Sequence, residues 1–324
     1  MGKAISTSEG MARRRFLRYG AAAALAGPAI RLLGAADAPA FRFKHSMANE
    51  TFEGWTLGDT CKAIRKAGYT GIEIAPFTFA DDPPQIPAGK RREYASVMSS
   101  EGLKYVAMHH LLMAPKGLHI TTPDKALRDR SWVHMSRMID LCADLGPGAL
   151  MVMGNPSRRG PVDGMSREDA IKNLVAGLKG IVPHLTERGV TLVVEPFSTK
   201  LNDVADSLGA AVSIVQQVDS SAVRTMFDTR GGTNEKEPHA ILVDRYFDLI
   251  RHIHINEAGG PYPGTGTYDF KPVLSVLRRR GYKGWLSLEL SDLTVPEVKS
   301  AGPVKIATDS LRYLDGEIAK LGAS

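Results

Sequence analysis

Thr191-Leu192-Val193-Val194-Glu195-Pro196, Val223-Arg224-Thr225-Met226-Phe227-Asp228-Thr229, Arg251-His252-Ile253-His254-Ile255-Asn256-Glu257 and Gly284-Trp285-Leu286-Ser287-Leu288-Glu289-Leu290 follow one plan. Each is a short run of β-branched and other apolar residues, the composition of a buried parallel strand. Each carries a Glu, Asp or His near its C-terminal end, and the four that take corresponding places are Glu195, Asp228, His254 and Glu289. Stretches long enough for a helix separate them. If the four strands are parallel neighbours in a closed barrel, three carboxylates and one imidazole surround a single point at its mouth.

The same alternation extends back towards the N-terminus. Strand signals fall over residues 41–49, 71–76, 104–111 and 149–155, followed by the four stretches above. Helix signals fall over 57–68, 89–102, from about 124 to 146, 170–189, 208–218, 239–250, 270–281 and about 305–321. Several helices close on glycine, and Ser166 and Asp169 have capping-box spacing ahead of the fourth. Strand–helix repetition specifies βαβ units and a parallel sheet. Eight units with no GxGxxG after the first strand point to a (β/α)8 TIM barrel rather than a doubly wound sheet. No composition shift divides it, so residues 39–324 are expected to form a single α/β domain.

The chain has 324 residues, 43% hydrophobic and 23% charged, enough for a sizeable core. Its net charge of +6 lies almost wholly at the N-terminus. Lys3, Arg13, Arg14, Arg15, Arg18 and Arg31 face only Glu9 within residues 1–36, leaving +1 for the rest. A nearly neutral body removes the electrostatic case for a nucleic-acid partner. Ala12-Arg13-Arg14-Arg15-Phe16-Leu17-Arg18 closely resembles a twin-arginine export signal, with a mildly apolar run over 20–30 and small residues over 34–40. Residues 1–38 are therefore expected to engage the twin-arginine translocase, with the folded protein exported to the periplasm or beyond. The apolar run is too short for a stable membrane anchor, which needs roughly 20 residues. Cys61 and Cys142 each sit in an amphipathic helix signal and are expected as buried, unpaired thiols.

In a barrel of this kind active residues lie at the C-terminal ends of strands. A charged residue flanked there by apolar neighbours must face the mouth or be buried at high cost. A set of three carboxylates and one imidazole favours a hard or borderline divalent ion, with Mn²⁺ first and Mg²⁺, Co²⁺ or Zn²⁺ as alternatives.

At these residues the chain resembles the xylose-isomerase-like TIM-barrel superfamily, which includes the sugar phosphate isomerase/epimerase proteins. The resemblance runs from about Lys44 to Asp292. It is carried by Gly68-Tyr69-Thr70-Gly71-Ile72-Glu73-Ile74, Leu150-Met151-Val152-Met153-Gly154-Asn155-Pro156, Val193-Val194-Glu195-Pro196, Phe227-Asp228-Thr229, His252-Ile253-His254-Ile255-Asn256-Glu257, Pro263-Gly264-Thr265-Gly266 and Gly281-Tyr282-Lys283-Gly284-Trp285-Leu286-Ser287-Leu288-Glu289. It implies that Glu195, Asp228, His254 and Glu289 bind one divalent metal, and that Glu195 and Glu289 also serve as the catalytic base–acid pair. The implied reaction takes a proton from a carbon beside a carbonyl through a metal-stabilised enediolate, then returns it to the other face or the neighbouring carbon. Two departures stand out. Gly231 occupies the place where many members carry a His three residues after the metal Asp, and residues 258–266 lack the basic residue usual in ketose epimerases.

The expectation is thus a metal-dependent isomerase or epimerase acting on a small carbohydrate. The alternatives are a lyase or hydratase acting on a keto-sugar or 3-oxo-glycoside with the same metal and base, and a non-catalytic carbohydrate-binding barrel. His110, Glu73, Asn155, Lys200 and Glu257 are candidate substrate contacts near strand ends. One of His109 and His110 is expected to meet substrate while the other packs. His252 is expected to face the helices as a core histidine. Barrels of this class often dimerise, so a homodimer is a further expectation.

Overall fold

The computed structural model describes residues 42–197, 203–290, 295 and 297–321. Eight parallel strands close into a barrel in sequence order, each pairing with the next and the last with the first. They are β1 Lys44–Ala48, β2 Gly71–Ile74, β3 Lys104–Met108, β4 Leu150–Met153, β5 Thr191–Val194, β6 Val223–Asp228, β7 Ile250–His254 and β8 Trp285–Leu288. The connecting helices are α1 Leu57–Ala67, α2 Ala88–Ser100, α3 Lys125–Leu145, α4 Arg167–Arg188, α5 Leu208–Val218, α6 His239–Arg245 and α7 Lys271–Arg279; α8 Glu297–Ala301 and α9 Pro303–Lys320 follow β8. This is the (β/α)8 architecture the strand–helix repetition specifies.

Local chemistry sets the helix ends. Thr56, Asp124, Ser166 and Ser207 each accept a hydrogen bond from a first-turn amide, which satisfies N–H groups that have no partner within the helix. The capping spacing noted in sequence holds: Ser166 Oγ accepts from the Asp169 amide at 3.0 Å. Gly68 and Gly189 close α1 and α4 in the left-handed region, where a side chain would be strained. The helix expected over 239–250 is shorter. It ends at Arg245, a single turn of 3-10 helix covers Phe247–Leu249, and Ile250 opens β7 opposite Thr225. The sheet ladder claims Ile250, so the helix must end several residues earlier than periodicity alone implies.

The main core lies between strands and helices, with Met47, Ile72, Ile74 and Met108 packed on Ile64, Met98, Met135 and Met138. Cys61 and Cys142 belong to it as free buried thiols, as expected. A smaller cluster contains Val106, Val152, Val193 and Met226, with Trp285 against it. Val193 and Met226 stand two residues before Glu195 and Asp228, so they share a face with those side chains. Gly71 belongs to the same layer. A Cβ there would come within 2.8 Å of Trp285, Val106 and Ser46, so the indole fits only against a glycine. This packed layer places the polar groups above it near the C-terminal ends of the strands.

Candidate active site

Asp228 and His254 are the last residues of β6 and β7, and Glu195 and Glu289 come directly after β5 and β8. The barrel register brings the four together, with ligand-type atoms from all four within 4.8 Å of one another. His254 Nδ1 lies 3.2 Å from Glu195 Oε1 and 3.1 Å from Glu289 Oε2. Glu195, Asp228 and His254 are buried, whereas Glu289 keeps 10% of its side chain exposed.

Supporting contacts fix each side chain. Asp228 Oδ1 accepts from the Arg230 amide at 2.8 Å, and Asp228 Oδ2 accepts from Asn256 Nδ2 at 3.2 Å. Asn256 Oδ1 accepts from the Glu289 amide at 3.0 Å. A backbone N–H can only donate, so this bond sets the carboxamide orientation. Asn256 therefore ties the ends of β6 and β8 together. On the other side, Arg159 is wholly buried and donates from Nε and Nη2 to the two oxygens of Asp203, at 2.8 and 2.6 Å. Its Nη2 also donates to the Glu195 carbonyl at 2.6 Å, and its Nη1 to the Met153 carbonyl. The guanidinium thus fixes the backbone that carries Glu195. Gly154 leaves room for that carboxylate, since a Cβ there would strike Glu195 Oε2.

Glu73 lies below the cluster, fully buried. Its Oε2 is 3.3 Å from His254 Nε2 and 3.4 Å from His109 Nδ1, and its Oε1 contacts His252 Nε2. Glu73 is therefore an anchor for imidazoles, not a residue at the mouth where a substrate would reach it. His252 does not face the helices. Residues i and i+2 share one face of a strand, so His252 and His254 both point to the interior, and the two-residue period carried that information. Glu257, buried, accepts from the Tyr268 amide at 3.0 Å and the Gly264 amide at 3.2 Å. It braces its own loop through those two bonds. Lys200 lies outside the described residues.

At the mouth, His110 and Asn155 both hold positive φ, 53° and 59°, a costly conformation for residues other than glycine and one that concentrates at functional sites. Their side chains meet at 3.5 Å. His109 is buried, while His110 keeps 16% of its side chain exposed. Glu50, which the sequence reading passed over, lies buried beside both, 3.4 Å from His109 Nε2 and 3.2 Å from His110 Nε2. It stands two residues past Ala48, the last residue of β1, whose sequence Lys44-His45-Ser46-Met47-Ala48 lacks the apolar run that marks the other strand ends.

The electrostatics of the cluster fit a cation. If His254 Nε2–H donates to Glu73, the lone pair on Nδ1 faces two carboxylates that can only accept. Such a contact needs a proton or a cation between the atoms. Neither His254 Nδ1 nor Glu195 Oε1 has an aligned hydrogen-bond partner. Without an ion, burial pushes the Asp228 carboxyl up to about 7; His254 pulls against that shift and the Glu195 and Glu289 carboxylates add to it. Burial alone would lower the His254 imidazole, yet the Glu289 and Glu73 charges hold it well above its ordinary value. Burial would likewise raise Glu289, and the charge of His254 keeps it low. The donor set suits one hard or borderline divalent ion held by Glu195, Asp228, His254 and Glu289, with Glu73 orienting the imidazole from behind.

Residues 61–316 match the family model for the xylose isomerase-like TIM barrel. The chain belongs to the xylose isomerase-like TIM barrel family. Within that family it is 23% identical over 170 residues to an inosose dehydratase of Lacticaseibacillus casei, covering 46% of this chain and 55% of that one. It is 22% identical over 185 residues to a 3-dehydro-D-guloside 4-epimerase of Escherichia coli (strain K12), covering 56% and 68%. The chain spans about half the length of most of the curated relatives it matches. Among solved structures, a D-psicose 3-epimerase crystallised in the presence of D-fructose superposes with a TM-score of 0.72 at 16% identity, covering 85% of this chain and 99% of that one. That likeness shows a shared barrel.

Proposed function

We propose that this family member is a divalent-metal-dependent sugar epimerase or isomerase that moves a proton at a carbon beside a carbonyl. The observation that carries this reading is the meeting of His254 Nδ1 with Glu195 and Glu289 at 3.1–3.2 Å, beside Asp228, at the mouth of the barrel. When bound, the ion supplies Lewis acidity that polarises a substrate carbonyl and acidifies the adjacent C–H. Glu195 and Glu289 leave strands on different sides of the mouth, so one carboxylate can take the proton while the other returns one. Glu73 holds His254 in one tautomer, and Arg159 and Asn256 keep the two glutamate backbones in place. The E. coli relative, named as a 4-epimerase of a 3-dehydro-sugar, and the D-psicose 3-epimerase have names consistent with such chemistry.

An elimination has its own support. The same base removes the same proton, the electron pair forms the C=C bond, and a β-oxygen departs with a proton from a nearby acid. Inosose dehydratases are among the relatives. Beside the mouth lies a cavity of about 500 Å³ lined in part by Phe52, Trp55, Phe77, Phe79 and Tyr94. Phe77 joins it to the mouth, its ring 5.7 Å from that of His110. An aromatic cleft of this size suits the stacked leaving portion of a glycoside. Export in folded form by the twin-arginine route belongs to the same proposal. It rests on Arg13-Arg14-Arg15-Phe16-Leu17, which lies outside the described residues.

Incubation with Mn²⁺ in D₂O with a panel of ketoses and 3-oxo-glycosides separates the two reactions. Deuterium beside the carbonyl of an otherwise intact sugar, with appearance of its epimer or isomer, is the expected result. Release of the aglycone would transfer the assignment to elimination. Bound metal with neither exchange nor product would overturn both.

A further inference from the structure

A second group of ligand-type side chains lies next to the first: Glu50, His109, His110 and Glu289, their ligand atoms within 4.8 Å of one another. Glu289 belongs to both groups, and its two oxygens divide between them. Its Oε2 faces His254 Nδ1 at 3.1 Å, while its Oε1 lies 3.9 Å from His109 Nε2 and 3.7 Å from His110 Nε2. A carboxylate shared in this way has the geometry to bridge two cation positions.

The supporting contacts repeat as well. His109 turns Nδ1 towards Glu73 at 3.4 Å and Nε2 towards Glu50, just as His254 turns Nε2 towards Glu73 and Nδ1 towards the first group. A carboxylate behind an imidazole is the usual support for a metal-bound histidine. Here Glu73 backs one histidine in each group. Both oxygens of Glu50, both nitrogens of His109 and Nε2 of His110 are buried and lack aligned hydrogen-bond partners. Such atoms are costly unless something fills the space between them.

Charge points the same way. Glu50, Glu195, Asp228 and Glu289 at the mouth and Glu73 beneath them concentrate five carboxylates in and under the two groups. With neutral histidines, one divalent ion leaves three negative charges there, and a second leaves one.

We propose that Glu50, His109, His110 and Glu289 form a second divalent cation site, bridged to the first through Glu289. Two imidazoles and two carboxylates suit Zn²⁺ or Co²⁺ better than the oxygen-rich first site does. The rival is a metal-free cluster in which His109 and His110 are imidazolium partners of Glu50.

The test is metal stoichiometry of the full chain, stripped with chelator, titrated with Zn²⁺ alone, and measured by elemental analysis after gel filtration. The wild type should retain two equivalents. Glu50→Gln and His110→Asn should each retain one, and Asp228→Asn should lose the other. Titration with Co²⁺ should give two d–d absorption components, one of them absent in His110→Asn. His110 is partly exposed, so that variant reports even if Glu50→Gln fails to fold. One equivalent in the wild type that survives His110→Asn but not Asp228→Asn would overturn the second site and leave the proposed function standing. Two equivalents unaffected by His110→Asn and Glu50→Gln would also overturn it.

Discussion

Glu195→Gln and Glu289→Gln should each lower turnover by about 10²–10⁴-fold at saturating Mn²⁺, the usual contribution of a positioned acid or base. Glutamine keeps the volume and one oxygen of each side chain, but it cannot accept a proton at neutral pH. The two variants should not be equivalent. For a substrate of one configuration, the variant that lacks the base loses solvent deuterium exchange altogether. The variant that lacks the returning acid still abstracts the proton and forms no epimer. Reversing the substrate configuration should exchange the two behaviours. Substrate affinity, measured by calorimetry, should change much less than turnover. Equal loss of exchange in both variants would point to a shared ligand role without proton transfer. Unchanged ligand binding, with no turnover even in the wild type, would identify a non-catalytic binding barrel.

Arg159→Met should destabilise the fold by about 3–5 kcal/mol, because it leaves the fully buried Asp203 carboxylate without its ionic partner, with the Val204 amide still donating to it. The guanidinium also satisfies the carbonyls of Met153 and Glu195, so the loss reaches the strand end that carries a candidate base. A double variant, Arg159→Met with Asp203→Leu, should recover most of that stability, since two apolar groups need no partner. Its turnover should remain low, because the Glu195 backbone has still lost its donor. Urea unfolding with parallel kinetics reads both quantities. An Arg159→Met midpoint close to the wild type would show that Asp203 is compensated elsewhere.

The barrel was legible because the repeat of apolar strand, polar loop and amphipathic helix needs no long-range information. The four residues of the first cluster were legible for a related reason: each is an ionisable residue with apolar neighbours at or just past the end of a strand, and closure of the barrel brings strand ends together. Glu50 lies just past the end of β1, but that strand, Lys44-His45-Ser46-Met47-Ala48, is not an apolar run. It escaped because Asn49 and Thr51 beside it make the segment read as a polar loop. His252 follows from period-two alternation, which pairs it with His254 on the inner face. Arg159 was beyond sequence reasoning, since its loop reads as solvated and its partner Asp203 lies 44 residues away. Glu73 and Glu257 show the converse: position near a strand end was visible, but the partners that occupy their oxygens were not. Departures at Gly231 and in the loop after Glu257 concern what the barrel grips, and a sequence gives no measure of that shape. At Gly231 the space is small, since a Cβ would lie 3.2 Å from the Pro196 carbonyl and 3.3 Å from Asp228 Cβ.

Anomalous diffraction from crystals grown with Mn²⁺ tests the metal assignment most directly. A peak coordinated by Glu195, Asp228, His254 and Glu289, with Glu73 hydrogen-bonded to the far nitrogen of His254, is the predicted result. Full Mn²⁺ saturation in solution with no anomalous density among those four residues would contradict it.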